Sequence, residues 1–248
     1  MKQPFIAFTL VLLTTIIFPR YLFADTFTVY TEPLAPLHYE QDKEITGIAT
    51  DIVREIFRVA GHQAQIKIFP WKRAYKRVQQ KPSTFIFTLN RTEKREQLFK
   101  WIGPILHKRT YLYAFKDRDD IQLESLDDAK KYMTAVILGH SLTTALEDGG
   151  FEEGVNIVKI ANKSIQVKVF AKKRCDLITG NEYTILPALH SVGLSIEDVK
   201  PVLHISSGDY YIGAHPDTHQ QIIHQLQQAA DTVTGSGFVE RTVNSYME

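Results

Sequence analysis

One arginine in this chain has a setting that suits chemistry. Arg95 lies in the stretch Thr88 to Ile105, TLNRTEKREQLFKWIGPI. A guanidinium presents a planar fork of donors that matches a carboxylate in two parallel hydrogen bonds, and it stays charged at any relevant pH. Thr88 and Asn90 precede it at alternate positions, so in an extended segment their side chains share a face. Taken alone, the same stretch also reads as a polar strand end followed by a charged helix start. Thr92 would then be the cap, Glu93 would favour the helix N-terminus, and Arg95 would face water. Other chemistry is thinly represented. His215 and His219 stand four apart, as paired metal ligands on a helix do, but Pro216 lies between them and no third ligand follows at an obvious spacing, so no metal is expected. No GxSxG, P-loop, HExxH or CxxC occurs, and no cofactor is expected.

The elements that would position these residues follow from periodicity. Thr26 to Tyr30 alternates as a strand and runs into a proline-containing loop. In DIVREIFRVAGH the residues Ile52, Val53, Ile56, Phe57 and Ala60 recur at helical spacing, with Thr50 or Asp51 able to cap the start and Gly61 the end. Gln65 to Phe69 reads as a strand, Trp71, Ala74, Tyr75 and Val78 mark a second helix, and Phe85 to Leu89 reads as a buried strand. This βαβαβ rhythm returns after the middle. Strands are expected at Tyr111 to Phe115, Met133 to Leu138, Val155 to Ile160 and Leu177 to Thr179, with helices at Ser141 to Glu147 and Ile165 to Lys173. Two helical stripes close the chain on either side of Gly235-Ser236-Gly237. Alternating elements of this length favour two α/β lobes.

Composition narrows the function classes. The formal net charge of +1 argues against nucleic acid, which needs a strong basic excess. At the N-terminus a short basic start precedes an apolar run from Phe5 to Phe18, and Ala24 is a small residue suited to signal peptidase. The run is shorter than the roughly 20 residues of a spanning helix, so residues 1–24 read as a signal peptide cleaved after Ala24. The single cysteine, Cys175, can form no intramolecular disulfide and reads as a buried, inert thiol. Lys72, Arg73, Lys76 and Arg77 form a basic helix face whose simplest reading is a solvated surface, with an acidic patch on a membrane partner as the alternative.

Five segments in this order carry a resemblance: GIATDIVREI, TLNRTEKREQLFKWIGPI, VILGHSLTTALEDGG, FAKKRCDLITGNE and GSGFVERTVNSYM. Together they span nearly the whole mature chain and resemble the amino-acid-binding periplasmic solute-binding proteins of family 3, which serve ABC importers. The resemblance implies an α/β, two-lobed type II periplasmic binding protein fold with two hinge crossings, its ligand trapped by hinge closure. It implies a first lobe of residues 25–109 plus 206–248 and a second of 110–205. It also implies that Arg95 receives a ligand carboxylate, that Thr88 and Asn90 assist it, and that Ser141, in the turn Gly139-His140-Ser141 opening a helix, clamps from the second lobe.

Two departures bear on the ligand. Asn181 stands where amino-acid binders of the family place an acid for the α-ammonium, and an amide supplies no countercharge. Glu182, one residue on, and Glu32, in the opposite lobe, are the candidate replacements. The family's stacking aromatic aligns with Leu34, and Tyr39, Trp71 or Tyr183 are the candidates to restore an aromatic wall. The expectation is therefore a periplasmic, monomeric, non-catalytic receptor for a small carboxylate-bearing or polar solute, working with an inner-membrane ABC permease. The alternatives are a dehydratase-like enzyme on the same scaffold, with Glu182, Glu32 or His140 as acid or base, and a sensing module without transport.

Overall fold

The structure is a computed structural model that describes residues 25–247. The expected signal peptide, residues 1–24, lies outside the described residues. The chain begins with β1 (Thr26–Thr31), a small hairpin of β2 (Tyr39–Gln41) and β3 (Glu44–Thr46), α1 (Ile48–Val59), β4 (Gln63–Ile68), α2 (Trp71–Gln80) and β5 (Thr84–Asn90). A 16-residue strand, β6 (Lys100–Phe115), leads to β7 (Thr134–Ile137), α3 (Ser141–Asp148), β8 (Ile157–Ile160), α4 (Lys163–Ala171), β9 (Leu177–Asn181) and α5 (Ile185–His190). A second strand of 16 residues, β10 (Val199–Ala214), returns, and α6 (Gln220–Gly235) and α7 (Phe238–Met247) finish the chain.

The strand order is β4-β1-β5-β10-β6-β9-β7-β8. β4, β1 and β5 are mutually parallel, as are β8, β7 and β9. The two long strands join these groups by pairing antiparallel along their whole length, from Val199 opposite Phe115 to Ala214 opposite Lys100. β5 takes up Tyr210 to Ala214 of β10, and β9 takes up Thr110 to Tyr113 of β6. Between those anchored ends, His107, Lys108 and Arg109 pair only with Asp209, Gly208 and Ser207. The result is two α/β lobes connected by two crossing strands.

Each lobe has its own core, for reasons visible in the sequence. β5, TFIFTLN, is apolar and buried on both faces, as a central strand with helices on each side must be. α1 turns Ile48, Ile52, Val53, Ile56 and Phe57 inward, where Phe57 meets Phe85 edge to face at 5.2 Å. Ile223, Leu226 and Ala230 of α6 enter the same cluster, so the C-terminal segment completes the first lobe. In the second lobe Phe170 of α4 stacks on Phe115 of β6 at 4.2 Å, while Leu146, Ile157 and Leu177 fill the other face of the sheet.

Some local expectations are corrected. α1 starts two residues before Thr50, after Gly47, whose φ is 123° and whose added Cβ would meet the Pro36 and Leu37 carbonyl oxygens at 2.6 Å. Glycine is required there, so neither Thr50 nor Asp51 is the cap. The expected helix at TEKRE is a single 3-10 stretch, Glu93–Leu98, whose Thr92 cap makes no side-chain bond. His219 and His215 take local structural roles. His219 caps α6 by accepting from the Gln221 N–H at 3.3 Å, and His215 Nδ1 accepts from Asp217 N–H at 3.1 Å.

Candidate functional site

The cleft between the lobes is furnished by strand ends and helix starts. From the first lobe come Glu32 just beyond β1, Trp71 and Tyr75 in α2, Thr88 and Asn90 on β5, and Arg95 in the 3-10 stretch that β5 runs into. The second lobe contributes Gly139, His140 and Ser141, where β7 turns into α3, and Asn181 at the end of β9.

Arg95 is only 8% exposed. Its guanidinium donates to the Asn90 carbonyl at 3.3 Å and, across the cleft, to the Gly139 carbonyl at 3.4 Å. Its central carbon lies 5.1 Å from the Tyr75 ring and 5.8 Å from the Trp71 ring. Burial lowers its pKa, opposed only by Tyr75. Two long bonds to neutral carbonyls and two aromatic faces compensate a buried cation weakly, and no carboxylate lies within 4 Å of it among the described residues. Chemically, a buried cation so weakly compensated can accept an anion.

Four contacts draw the lobes together around this group. Asn90 Nδ2 donates to Ser141 Oγ at 2.6 Å, and Trp71 Nε1 donates to the Gly139 carbonyl at 3.0 Å. Glu32 Oε1 lies 2.9 Å from His140 Nε2, a close contact that does not have hydrogen-bond geometry. At the rim Lys94 Nζ reaches Asp148 at 2.5 Å. Glu32, Thr88, Asn90, Arg95, His140 and Ser141 enclose a cavity of about 30 Å³, the room of roughly one water molecule. Asn90, Ser141, Trp71 and Gly139 are thus paired across the lobes, while His140 Nε2 makes no hydrogen bond among the described residues.

Two wider cavities flank that point. One, of about 500 Å³, lies against the outer face of Arg95 and is lined by Trp71, Lys72, Tyr75, Lys94, Gly139 and Asp148. The other, of about 460 Å³, runs towards the crossing strands and is lined by Lys108, Thr110, Lys163, Thr179, Asn181 and Asp209, sharing Asn90, His140 and Ser141 with the small cavity.

The remaining candidates fall in distinct places. Asn181 is 6% exposed and fully engaged. Its Oδ1 accepts from Tyr183 N–H, Thr184 N–H and Thr184 Oγ1, and its Nδ2 donates to the Tyr210 hydroxyl at 3.0 Å. It holds the turn from β9 into α5, so the amide is a structural brace at the cleft wall. The Glu182 carboxylate accepts the Arg109 backbone N–H at 2.8 Å and 3.1 Å, which pins the crossing strand and keeps it outside all three cavities. Tyr183 donates its hydroxyl to the His107 carbonyl. Tyr39 sits on β2 with its hydroxyl bonded to Gln41 and lines none of the three cavities. Of the expected aromatic wall, Trp71 alone lines both the small cavity and the outer one.

His38 belongs to the site although nothing in the sequence singles it out. Its ring is fully buried and T-shaped against Phe87. Nδ1 lies 2.5 Å from the Glu32 carbonyl, which can only accept, so Nδ1 carries the hydrogen. Nε2 lies 2.9 Å from Thr88 Oγ1. Burial, outweighing the attraction of Glu32, pushes its pKa down to about 4, which favours the neutral imidazole, and Nε2 then shares the single Thr88 hydroxyl hydrogen with the Phe87 carbonyl, 2.6 Å from Oγ1. His38 thereby fixes Glu32 and Thr88 together, and Thr88 needs that support because its φ is 55°, a left-handed value unusual for a β-branched residue.

Comparisons with known proteins bear on the family and the fold. The family model for bacterial extracellular solute-binding proteins, family 3, matches residues 27–248. The probable amino-acid-binding protein YxeM of Bacillus subtilis (strain 168) is 19% identical over 213 residues, which covers 85% of this chain and 79% of that protein. Among solved structures, an ancestral arginine-binding protein bound to arginine superposes with a TM-score of 0.78 at 18% identity, covering 90% of this chain and 98% of the other. A histidine kinase sensor domain with similarity to periplasmic binding proteins gives a TM-score of 0.80 at 14% identity, covering 90% and 96%. These likenesses establish the two-lobed type II periplasmic binding protein fold.

Proposed function

The chain belongs to the bacterial extracellular solute-binding proteins, family 3, and on that footing we propose that it is a periplasmic receptor that captures a small carboxylate-bearing solute in its cleft and delivers it to an ABC importer. Residues 1–24 are the signal peptide that exports it, and the lobes are residues 25–109 plus 206–248 and residues 110–205. Capture proceeds by rotation about the segment where His107 to Arg109 and Ser207 to Asp209 pair only with each other.

The observation that carries this reading is Arg95, a buried guanidinium without a carboxylate partner among the described residues, set beside the Trp71 and Tyr75 rings at the line where the lobes meet. A bound carboxylate replaces two long carbonyl contacts with a charged, forked pair. Ser141 and the first N–H groups of α3 close on the same carboxylate from the second lobe.

Asn181 is committed to its own turn, so the countercharge for an α-ammonium falls to Glu32, which is 4% exposed and lines the same small cavity as Arg95. That pairing favours an α-amino acid, the class named for the Bacillus relative. Its ammonium then takes the place of His140 against Glu32. A solute that reaches Arg95 and Ser141 displaces the Arg95–Gly139 and Asn90–Ser141 contacts between the lobes.

A thermal-shift screen of the mature protein against amino acids, dicarboxylates, amines and small peptides tests the proposal. A ligand at 100 times its Kd stabilises the native state by about 2.7 kcal/mol through mass action. Arg95→Ala is expected to abolish the shift given by carboxylate-bearing hits. Equal shifts in both proteins would remove Arg95 as the receptor.

A further inference from the structure

Arg95 does not account for the cavity of about 460 Å³ on the crossing-strand side. Lys108 of β6 and Lys163 at the start of α4 line it, and each is only 7% exposed. Lysine is almost never buried without a paired acid, and here two such residues line one cavity. Lys108 Nζ makes no hydrogen bond among the described residues and sits 5.1 Å from the centre of the Tyr210 ring. Lys163 Nζ donates to Gln166 Oε1 at 2.9 Å and to the Thr179 carbonyl, which leaves one of its three hydrogens without a partner. Neither has a carboxylate within 4 Å among the described residues.

The other charges around this cavity are already committed. Asp209 Oδ1 is held by His107 Nδ1 at 2.8 Å. Arg91 is spent on Glu96 through bonds of 2.8 Å and 2.5 Å. Burial lowers the pKa of both lysines. For Lys163, where no neighbouring acid opposes it, the value falls to about 7, while Glu182 and Asp209 partly offset it for Lys108. Both groups therefore gain charge stabilisation from any anion that enters.

We propose that Lys108 and Lys163 form a second anion-binding subsite of the cleft, which receives a negatively charged group at the far end of the solute whose carboxylate is held by Arg95. The inference rests on the receptor reading and narrows its ligand class to solutes anionic at both ends. The two cavities share Asn90, His140 and Ser141 and so adjoin, and a solute that displaces the Asn90–Ser141 bond would span them; the volume suits a small solute. Ammonium groups act as point charges and accept a carboxylate or a phosphate alike.

Calorimetric titration with matched pairs that differ only at the far end tests this: glutamate against glutamine, and O-phosphoserine against serine. The wild-type protein is expected to bind at least one acidic member about tenfold or more tighter than its neutral partner, the effect of one charge-assisted hydrogen bond. The pair that shows the preference identifies carboxylate or phosphate as the group. Lys108→Met, which loses no hydrogen bond, and Lys163→Met are each expected to cut that preference several-fold while leaving the neutral partner's Kd within about twofold. Arg95→Ala weakens both members of a pair. Should Lys163→Met fail to fold, Lys108→Met decides alone. A wild-type ratio near one, a ratio untouched by the lysine substitutions, or no binding of either acidic member overturns the subsite. The first two results leave the receptor reading intact, whereas ligand binding that ignores Arg95→Ala refutes that reading separately.

Discussion

His38→Gln converts the buried imidazole beside Glu32 and Thr88 into a measurable pH dependence. The folded pKa of about 4 lies below the ordinary value of 6.5 because burial disfavours the imidazolium. Above 6.5 both folded and unfolded chains hold a neutral ring, and the group adds no pH dependence. As the pH falls below 6.5 the unfolded chain takes up a proton that the folded chain refuses until about 4, so stability is lost across that window. With those two values, the loss between pH 7.5 and pH 5 is about 2 kcal/mol, approaching about 3 kcal/mol below pH 4. Urea unfolding of wild type and His38→Gln at the two pH values isolates the term. Glutamine forfeits some packing and is expected to be less stable at both, but its fall between pH 7.5 and pH 5 should be smaller by about 2 kcal/mol. An identical fall in both proteins would mean that the ring is charged or exposed in the folded state, and the link between Glu32 and Thr88 would not be the neutral bridge described.

Other perturbations have equally definite outcomes. Trp71→Phe removes the bond to the Gly139 carbonyl, worth roughly 0.5–1.5 kcal/mol net, and should shift the ligand-free protein towards an open cleft, read as a larger radius of gyration in small-angle X-ray scattering. Gly47→Ala forces a Cβ against two carbonyl oxygens at a φ of 123° and should cost more than about 2 kcal/mol in denaturant unfolding. The Cys175 thiol, its pKa pushed up to about 12 by burial, should resist alkylation at pH 8 in the native protein and react fully in denaturant.

The parts of the fold that were legible in the sequence are those whose burial pattern is simple. The FIFTL run reads as a buried strand and is one, and the stripe from Ile52 to Phe57 reads as a helix and is one. β10 was not visible as a strand because Pro201, Ser206, Ser207 and Gly208 interrupt it where it crosses between lobes and has solvent on one side. The hairpin of β2 and β3 and the short α5 are set by tertiary contacts more than by periodicity. At the site, Arg95 was visible through its motif, and Trp71 through its place at the head of a helix. His38 and Lys163 were not, since each is one polar residue with no spacing partner, and its meaning comes only from what folding brings against it. The departure at Asn181 was visible, but its reason was not: the amide braces a turn with three hydrogen bonds and ties it to Tyr210 of β10 with a fourth.

The central claim is that Arg95 is the carboxylate receptor of the cleft. A crystal structure of the mature protein with its tightest-binding solute tests it most directly. The account predicts the solute's carboxylate forked on the Arg95 guanidinium, with the Gly139 carbonyl and the direct Asn90–Ser141 bond displaced. A ligand seated elsewhere, with Arg95 still on Gly139 and Asn90 still on Ser141, would contradict it.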